Sequence, residues 1–176
     1  EVPEVHYRKS GDSIFAEVEK NYNHLKALAT SQAVKPRLMC EMKSGSAWYV
    51  SGGRSTTGKL YADAGADYVF SSYTNAGGVP LSFETVFDKA QDADVWLMKY
   101  NHPTDKTYQS LQEDYAPYAN FKAFKDKNIY HCNTAYRPYY EDFPFHPDRV
   151  LKDLIKIFHP SLLPEYELKY FSKLAE

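Results

Sequence analysis

The sequence predicts an α/β fold: a Rossmann-like three-layer lobe with a mostly parallel central sheet of about four to five strands flanked by helices. Three observations lead there. Short apolar runs at 37–42, 68–70, 94–100 and 128–132 alternate with segments of helical periodicity, the pattern of strands joined by helical crossovers. Start and stop residues punctuate the helical segments. The chain has 176 residues, enough for one hydrophobic core that buries roughly two thirds of the unfolded surface.

In chain order, Ile14, Phe15, Val18, Tyr22, Leu25 and Leu28 recur at helical spacing after Asp12 and Ser13, both good N-cap types. This predicts a long amphipathic helix, stopped by Lys35-Pro36, with the first buried strand after it at 37–42. A Gly- and Ser-rich loop over 44–57 leads to a helix at 57–64, closed by Gly65 at C′. The second strand, 68–70, is followed by a polar loop over 71–80, and Ser82 caps the next helix. Then come the third strand, a helix at 104–114, a short helical piece at 118–124 and the fourth strand. A loop crowded with Tyr136, Tyr139, Tyr140, Phe143 and Phe145 precedes the last helix, which starts with Pro147 near N1. Leu151, Leu154, Ile155 and Phe158 form its buried stripe, and His159-Pro160 ends it. No repeat or low-complexity tract interrupts this order.

Composition narrows the function. The chain is 43% hydrophobic and 25% charged with a net charge of -2, so no electrostatic footprint for nucleic acid exists. Its 16 tyrosines lack the basic stripe of a single-strand stacking platform. No apolar run reaches about 18 residues, and the start, Glu1-Val2-Pro3-Glu4-Val5, is not a signal peptide. A cytosolic protein, a processed mature protein or a fragment of a longer one would fit. Cys40 and Cys132, both in apolar runs, are expected to be buried free thiols.

In parallel α/β sheets, ligands sit beyond the carboxyl ends of the strands. The loops there offer Trp48, Tyr49, Arg54 and Ser55; Ser72, Tyr73 and Asn75; Asn101 and His102; and Asn133, Tyr136 and Arg137. This aromatic, amide-rich set suits recognition of a large ligand better than acid-base catalysis. The histidines are too scattered for a closed zinc site, and His131 and Cys132 point to opposite faces of a strand. Tyr49, Tyr73 or His102 could serve as a single axial haem ligand, but each reads more simply as a cleft side chain. No Gly-x-Ser-x-Gly elbow occurs, and neither Ser46 nor Ser51 has an identifiable base. The competing motif is Gly53-Arg54-Ser55-Thr56-Thr57-Gly58-Lys59-Leu60, a phosphate-binding loop in which Leu60 replaces the magnesium-holding hydroxyl. An α/β enzyme or nucleotide-binding domain using this loop is the alternative reading.

The order of several motifs resembles the C-terminal lobe of the periplasmic substrate-binding proteins of ABC importers for vitamin B12, haem and ferric siderophores, the class with a long interlobe helix. The motifs are Lys35-Pro36, Trp48-Tyr49-Val50-Ser51-Gly52-Gly53, Ala64-Gly65-Ala66, Leu81-Ser82-Phe83-Glu84-Thr85-Val86, Ala93-Asp94-Val95-Trp96 and Phe145-His146-Pro147-Asp148. The resemblance covers about 12–174 and implies residues 1–11 as the trailing part of the interlobe connection, 12–176 as the lobe, and a preceding lobe outside this sequence. It also implies a noncatalytic protein without a cofactor, which takes a metal-chelate ligand through Trp48, Tyr49, Arg54, Ser72, Tyr73, Asn101, His102, Asn133 and Arg137. Glu84 would dock on the permease subunits. The location implied is the periplasm, soluble or lipid-tethered through a segment not present here. Corrinoid, haem and ferric siderophore all fit aromatic loops.

Overall fold

The computed structural model describes residues 2–176, with side chains from Ser13 onward. Its centre is a five-stranded sheet in the order β4-β1-β6-β7-β8, made of β1 (Arg37–Cys40), β4 (Asp67–Tyr68), β6 (Val95–Tyr100), β7 (Ile129–Asn133) and β8 (Ser172–Lys173). The pairings β4-β1-β6-β7 are parallel, and β8 closes the edge antiparallel to β7. The predicted mixed α/β lobe with a mostly parallel sheet is therefore the observed one.

Helices α1 (Val2–Thr30), α2 (Thr56–Asp63) and α7 (Pro147–Phe158) pack together on one side of this sheet. On the other lie α3 (Phe83–Ala90), α4 (Tyr108–Asp114), the 3-10 helix Ala116–Asn120 and α5 (Lys122–Lys125). A short α6 (Tyr139–Asp142) follows β7. Strand alternation sorts the two layers along β6. Trp96 meets Phe121 at 5.2 Å between ring centroids, while Lys99 points to the α2 side, near Tyr61. The last helix is the clearest success of periodicity: Leu151, Leu154, Ile155 and Phe158 are all buried, and Pro147 starts the helix. Gly65 sits at C′ with φ 81°, and Ser82 caps α3 by accepting from the Thr85 amide.

Several expectations need correction. Helix α1 runs through Asp12 and Ser13 instead of starting there; Gly11 costs an interior helix position only about 1 kcal/mol relative to Ala, too little to break a long helix. Its apolar stripe is covered unevenly, since Ile14 and Phe15 remain 54% and 62% exposed while Tyr22 and Leu25 pack on the core. The loop assigned to 44–57 contains β3 (Ala47–Ser51), and that at 71–80 contains most of β5 (Gly78–Leu81). With β2 (Lys43–Ser44) they build a separate antiparallel sheet in the order β2-β3-β5. The helix predicted at 104–114 starts only at Tyr108, because Thr107 and Ser110 cap each other's backbone amides. The helical piece predicted at 118–124 is the 3-10 turn followed by α5.

Candidate functional site

Where β1 and β6 end side by side, the backbone turns sharply. Glu41 follows β1 with φ 69°, a left-handed conformation rare for a side chain of its size. Two hydrogen bonds hold it there: the Glu41 amide donates to the Leu97 carbonyl at 2.8 Å, and Trp96 Nε1 donates to the Glu41 carbonyl at 2.8 Å. The strained residue thus presents its carboxylate beyond the sheet, beside Lys99.

A half-open cavity of about 350 Å³ lies over these strand ends, lined by Glu41, Lys99, Tyr49, Thr57, Tyr139 and Tyr140 among others. Tyr49 and Tyr140 stand at its rim, 52% and 60% exposed, whereas Tyr139 is buried at 3%. The Lys99 side chain is only 10% exposed, its Nζ lying 4.0 Å from Glu41 Oε1 and 5.1 Å from the Tyr139 ring centre. Burial raises the Glu41 carboxyl above the ordinary carboxylate value, against the opposing pull of Lys99. Burial also pushes the Cys40 thiol up to about 12, keeping it protonated beneath the site. Cys40 and Cys132 are both buried and free, as expected.

Trp48, predicted to touch ligand, does not reach this cavity. It is fully buried, stacked on Trp96 at 5.8 Å, with its Nε1 donating to the Cys40 carbonyl at 2.9 Å. Because Trp48 lies on a strand and not in a loop, alternation turns it and Val50 inward and Tyr49 outward. Asn133 is a second correction: at 3% exposure its amide is committed to the His102 carbonyl at 2.9 Å and Asp105 Oδ1 at 3.0 Å. It braces the loop after β6. His102 and Asn101 are exposed on that loop, and His102 Nδ1 lies 2.8 Å from the Thr104 carbonyl. Arg137 donates to the Lys169 carbonyl at 3.0 Å, and with Asn133 it lines a second pocket of about 420 Å³ beyond β7. Arg54 and Ser72 are exposed, and Tyr73 is half-buried with Lys89 Nζ 5.3 Å from its ring. Of the predicted set, therefore, Tyr49 alone lines the strand-end cavity.

The residues that sequence reasoning missed are Glu41, Lys99, Tyr139 and Tyr140. One signal was available: Lys99 closes the apolar run Val95-Trp96-Leu97-Met98 at the carboxyl end of a strand, where ligands gather. Nothing in the sequence marks the positive φ of Glu41.

The phosphate-loop resemblance dissolves locally. Ser55 caps α2, so the segment is already helical from Thr56, leaving no open loop to wrap a phosphate. Its glycines serve backbone packing. A Cβ on Gly58 would stand 2.2 Å from the Gly52 carbonyl oxygen, and one on Gly53 would stand 2.1 Å from that of Ser71.

In the second pocket, His131 lies between Tyr100 Oη at 2.6 Å and Ser172 Oγ at 3.1 Å. Burial lowers its pKa below 6.5, with Asp105 pulling up and Arg137 pushing down. An unfolded histidine then binds protons that the folded one refuses, so stability falls as pH drops from above 6.5 toward the lowered native value. Urea unfolding at pH 7.5 and pH 5.5 should show this loss, and His131→Gln should shrink it; an unchanged pH dependence in the variant would assign the loss elsewhere.

Known proteins share this fold. The family model for periplasmic binding proteins matches residues 4–136, well over half of the chain. The chain belongs to the periplasmic binding protein family, a family of binding and transport proteins and not of enzymes. An uncharacterized lipoprotein of Methanocaldococcus jannaschii is 30% identical over 108 residues, covering 61% of this chain and 24% of its own. The TroA-like periplasmic binding protein FepB of Veillonella parvula superposes with a TM-score of 0.65 at 16% identity, over 90% of this chain and 56% of that one. IsdE of Staphylococcus aureus, solved in complex with heme, gives a TM-score of 0.61 at 14% identity, over 84% of this chain and 57% of its own. The chain thus spans about a quarter of the length of that lipoprotein and about half that of these two solved structures.

Proposed function

We propose that residues 12–176 are the C-terminal lobe of the substrate-binding component of an ABC importer, and that the ligand is a metal chelate: a ferric siderophore, haem or vitamin B12. The observation that carries this reading is the cavity at the carboxyl ends of β1 and β6, walled by tyrosines and open on one side. Such a half-site suits a large ligand with apolar faces, the remaining contacts coming from a preceding lobe. Residues 1–11 are the trailing part of the connection to that lobe, and the long, continuous α1 suits a stiff connector. The heme complex of IsdE supports a chelate, and the lipoprotein relative supports a periplasmic or lipid-tethered location. Around Tyr49, the exposed Arg54, Ser72, Asn101 and His102, with Tyr73, are proposed as outer contacts to a bulky ligand, and Glu84 as the permease-docking group.

The test is a tryptophan-fluorescence titration of the longest natural form with cobalamin, haem, a ferric siderophore panel and magnesium-ATP, corrected for ligand absorbance. Trp96, hydrogen-bonded to the Glu41 carbonyl, couples the fluorophores to the cavity floor. Saturable quenching by one chelate is expected. Saturation by magnesium-ATP alone, or by none of the four, would sink the reading.

A further inference from the structure

The ammonium of Lys99 lies on the cavity floor. Its side chain is nine-tenths buried and lines the cavity, yet among the described residues its Nζ has no hydrogen-bond acceptor. The nearest carboxylate oxygen, Glu41 Oε1, stands at 4.0 Å, beyond hydrogen-bonding reach. The faces of Tyr139 at 5.1 Å and Tyr61 at 6.0 Å give the charge cation–π support without accepting its protons in a normal hydrogen bond. The free donors of this ammonium line the cavity and are open to an acceptor that enters it.

The shape of the site says what that acceptor is. The backbone of Glu41 is held in a left-handed conformation by its bonds to Leu97 and Trp96, and its carboxylate stands beside Lys99 without a hydrogen bond to it. The approach to Lys99 is between Tyr49, Tyr139 and Tyr140, whose rings accept a flat or apolar body.

We propose that Lys99 is the charge-reading residue of this cavity and that the ligand carries an anionic oxygen, a carboxylate or an ionised phenol-type oxygen, seated on Lys99 Nζ between the tyrosine rings. This rests on the strand-end cavity being the ligand site and narrows the proposed chelates to those with such an anionic edge. Glu41 is the resting counter-charge, which an arriving anion partly displaces from its role.

The test separates the anion site from the cargo. The full chain, isotope-labelled, is titrated with benzoate and with the isosteric neutral benzamide, and the amide shifts of Glu41, Tyr49 and Tyr140 are followed by NMR. Benzoate should bind at least about tenfold tighter than benzamide, and Lys99→Met should erase that preference. Glu41→Gln, which keeps the shape and removes the competing carboxylate, should tighten benzoate binding several-fold. Equal affinities in the parent protein, failure of both probes to bind, a preference that survives Lys99→Met, or no tightening in Glu41→Gln would each overturn the proposal. The second variant keeps the question open to test even where Lys99→Met fails to fold. A parallel titration with an anionic ferric tricatecholate and a neutral ferric trihydroxamate tells the two readings apart. Benzoate preference without binding of either chelate leaves the anion site standing and removes the cargo, whereas equal chelate binding without benzoate preference does the reverse.

Discussion

Replacing Asp153 by Ala is expected to cost about 3–5 kcal/mol of stability. Asp153 is 0% exposed on α7, and its two oxygens accept from four donors: Tyr166 Oη at 2.7 Å, and the amides of Lys169, Tyr170 and Phe171 at 2.8, 2.9 and 2.9 Å. These bonds fold the tail against α7 and deliver β8 to its register on β7, where Tyr130 pairs with Lys173 and His131 with Ser172. Truncation strands several buried donors at about 1–3 kcal/mol each, partly recovered by water entering. Asp153→Asn preserves the volume but turns a donor toward backbone N–H groups, so it should lose a substantial part of the same energy. Urea unfolding measures both. A loss below about 1 kcal/mol for the alanine variant would mean that the tail is held by its apolar contacts instead.

On the proposed docking role, reversing the charge at Glu84 should abolish import while leaving ligand affinity within about twofold. Ser82 caps α3 through the Thr85 amide at 3.2 Å, and its hydroxyl lies 3.0 Å from that of Thr85. The cap is therefore completed without Glu84, which is exposed in the first helical turn and makes no ion pair among the described residues. The helix dipole favours a carboxylate there, and an exposed carboxylate can take a bidentate arginine from a partner. Arginine in its place substitutes repulsion for attraction, a change of about 2–5 kcal/mol in docking or at least about thirtyfold. Uptake by cells carrying Glu84→Arg, set beside the purified variant's ligand affinity and melting temperature, tests this. Normal uptake would remove the docking role, and a large fall in melting temperature would make the defect structural.

One part of the candidate site is misassigned by sequence for a single reason. A residue's loop or strand state decides which way it points, and two strands of the antiparallel sheet lie in stretches whose Gly and Ser content reads as loop. A loop assignment makes Trp48 a ligand contact, whereas alternation along β3 gives that position to its neighbour Tyr49. Asn133 was legible as a strand-end amide, but not as one already spent on the His102 carbonyl and Asp105.

Local chemistry determined what local chemistry can determine. The alternation of apolar runs with capped helices, Ser82 and Pro147 at helix starts, Gly65 at a helix end and the stripe of α7 all follow from interactions within a few residues, and the sequence carries them openly. The tertiary structure alone decided what meets across long separations: Lys99 beside Glu41, 58 positions earlier in the chain, and Asp153 beneath the tail. Such pairs are set by strand order and by which face of each element turns inward, and no spacing along the chain encodes the distance between groups whose backbones meet only after the sheet has formed.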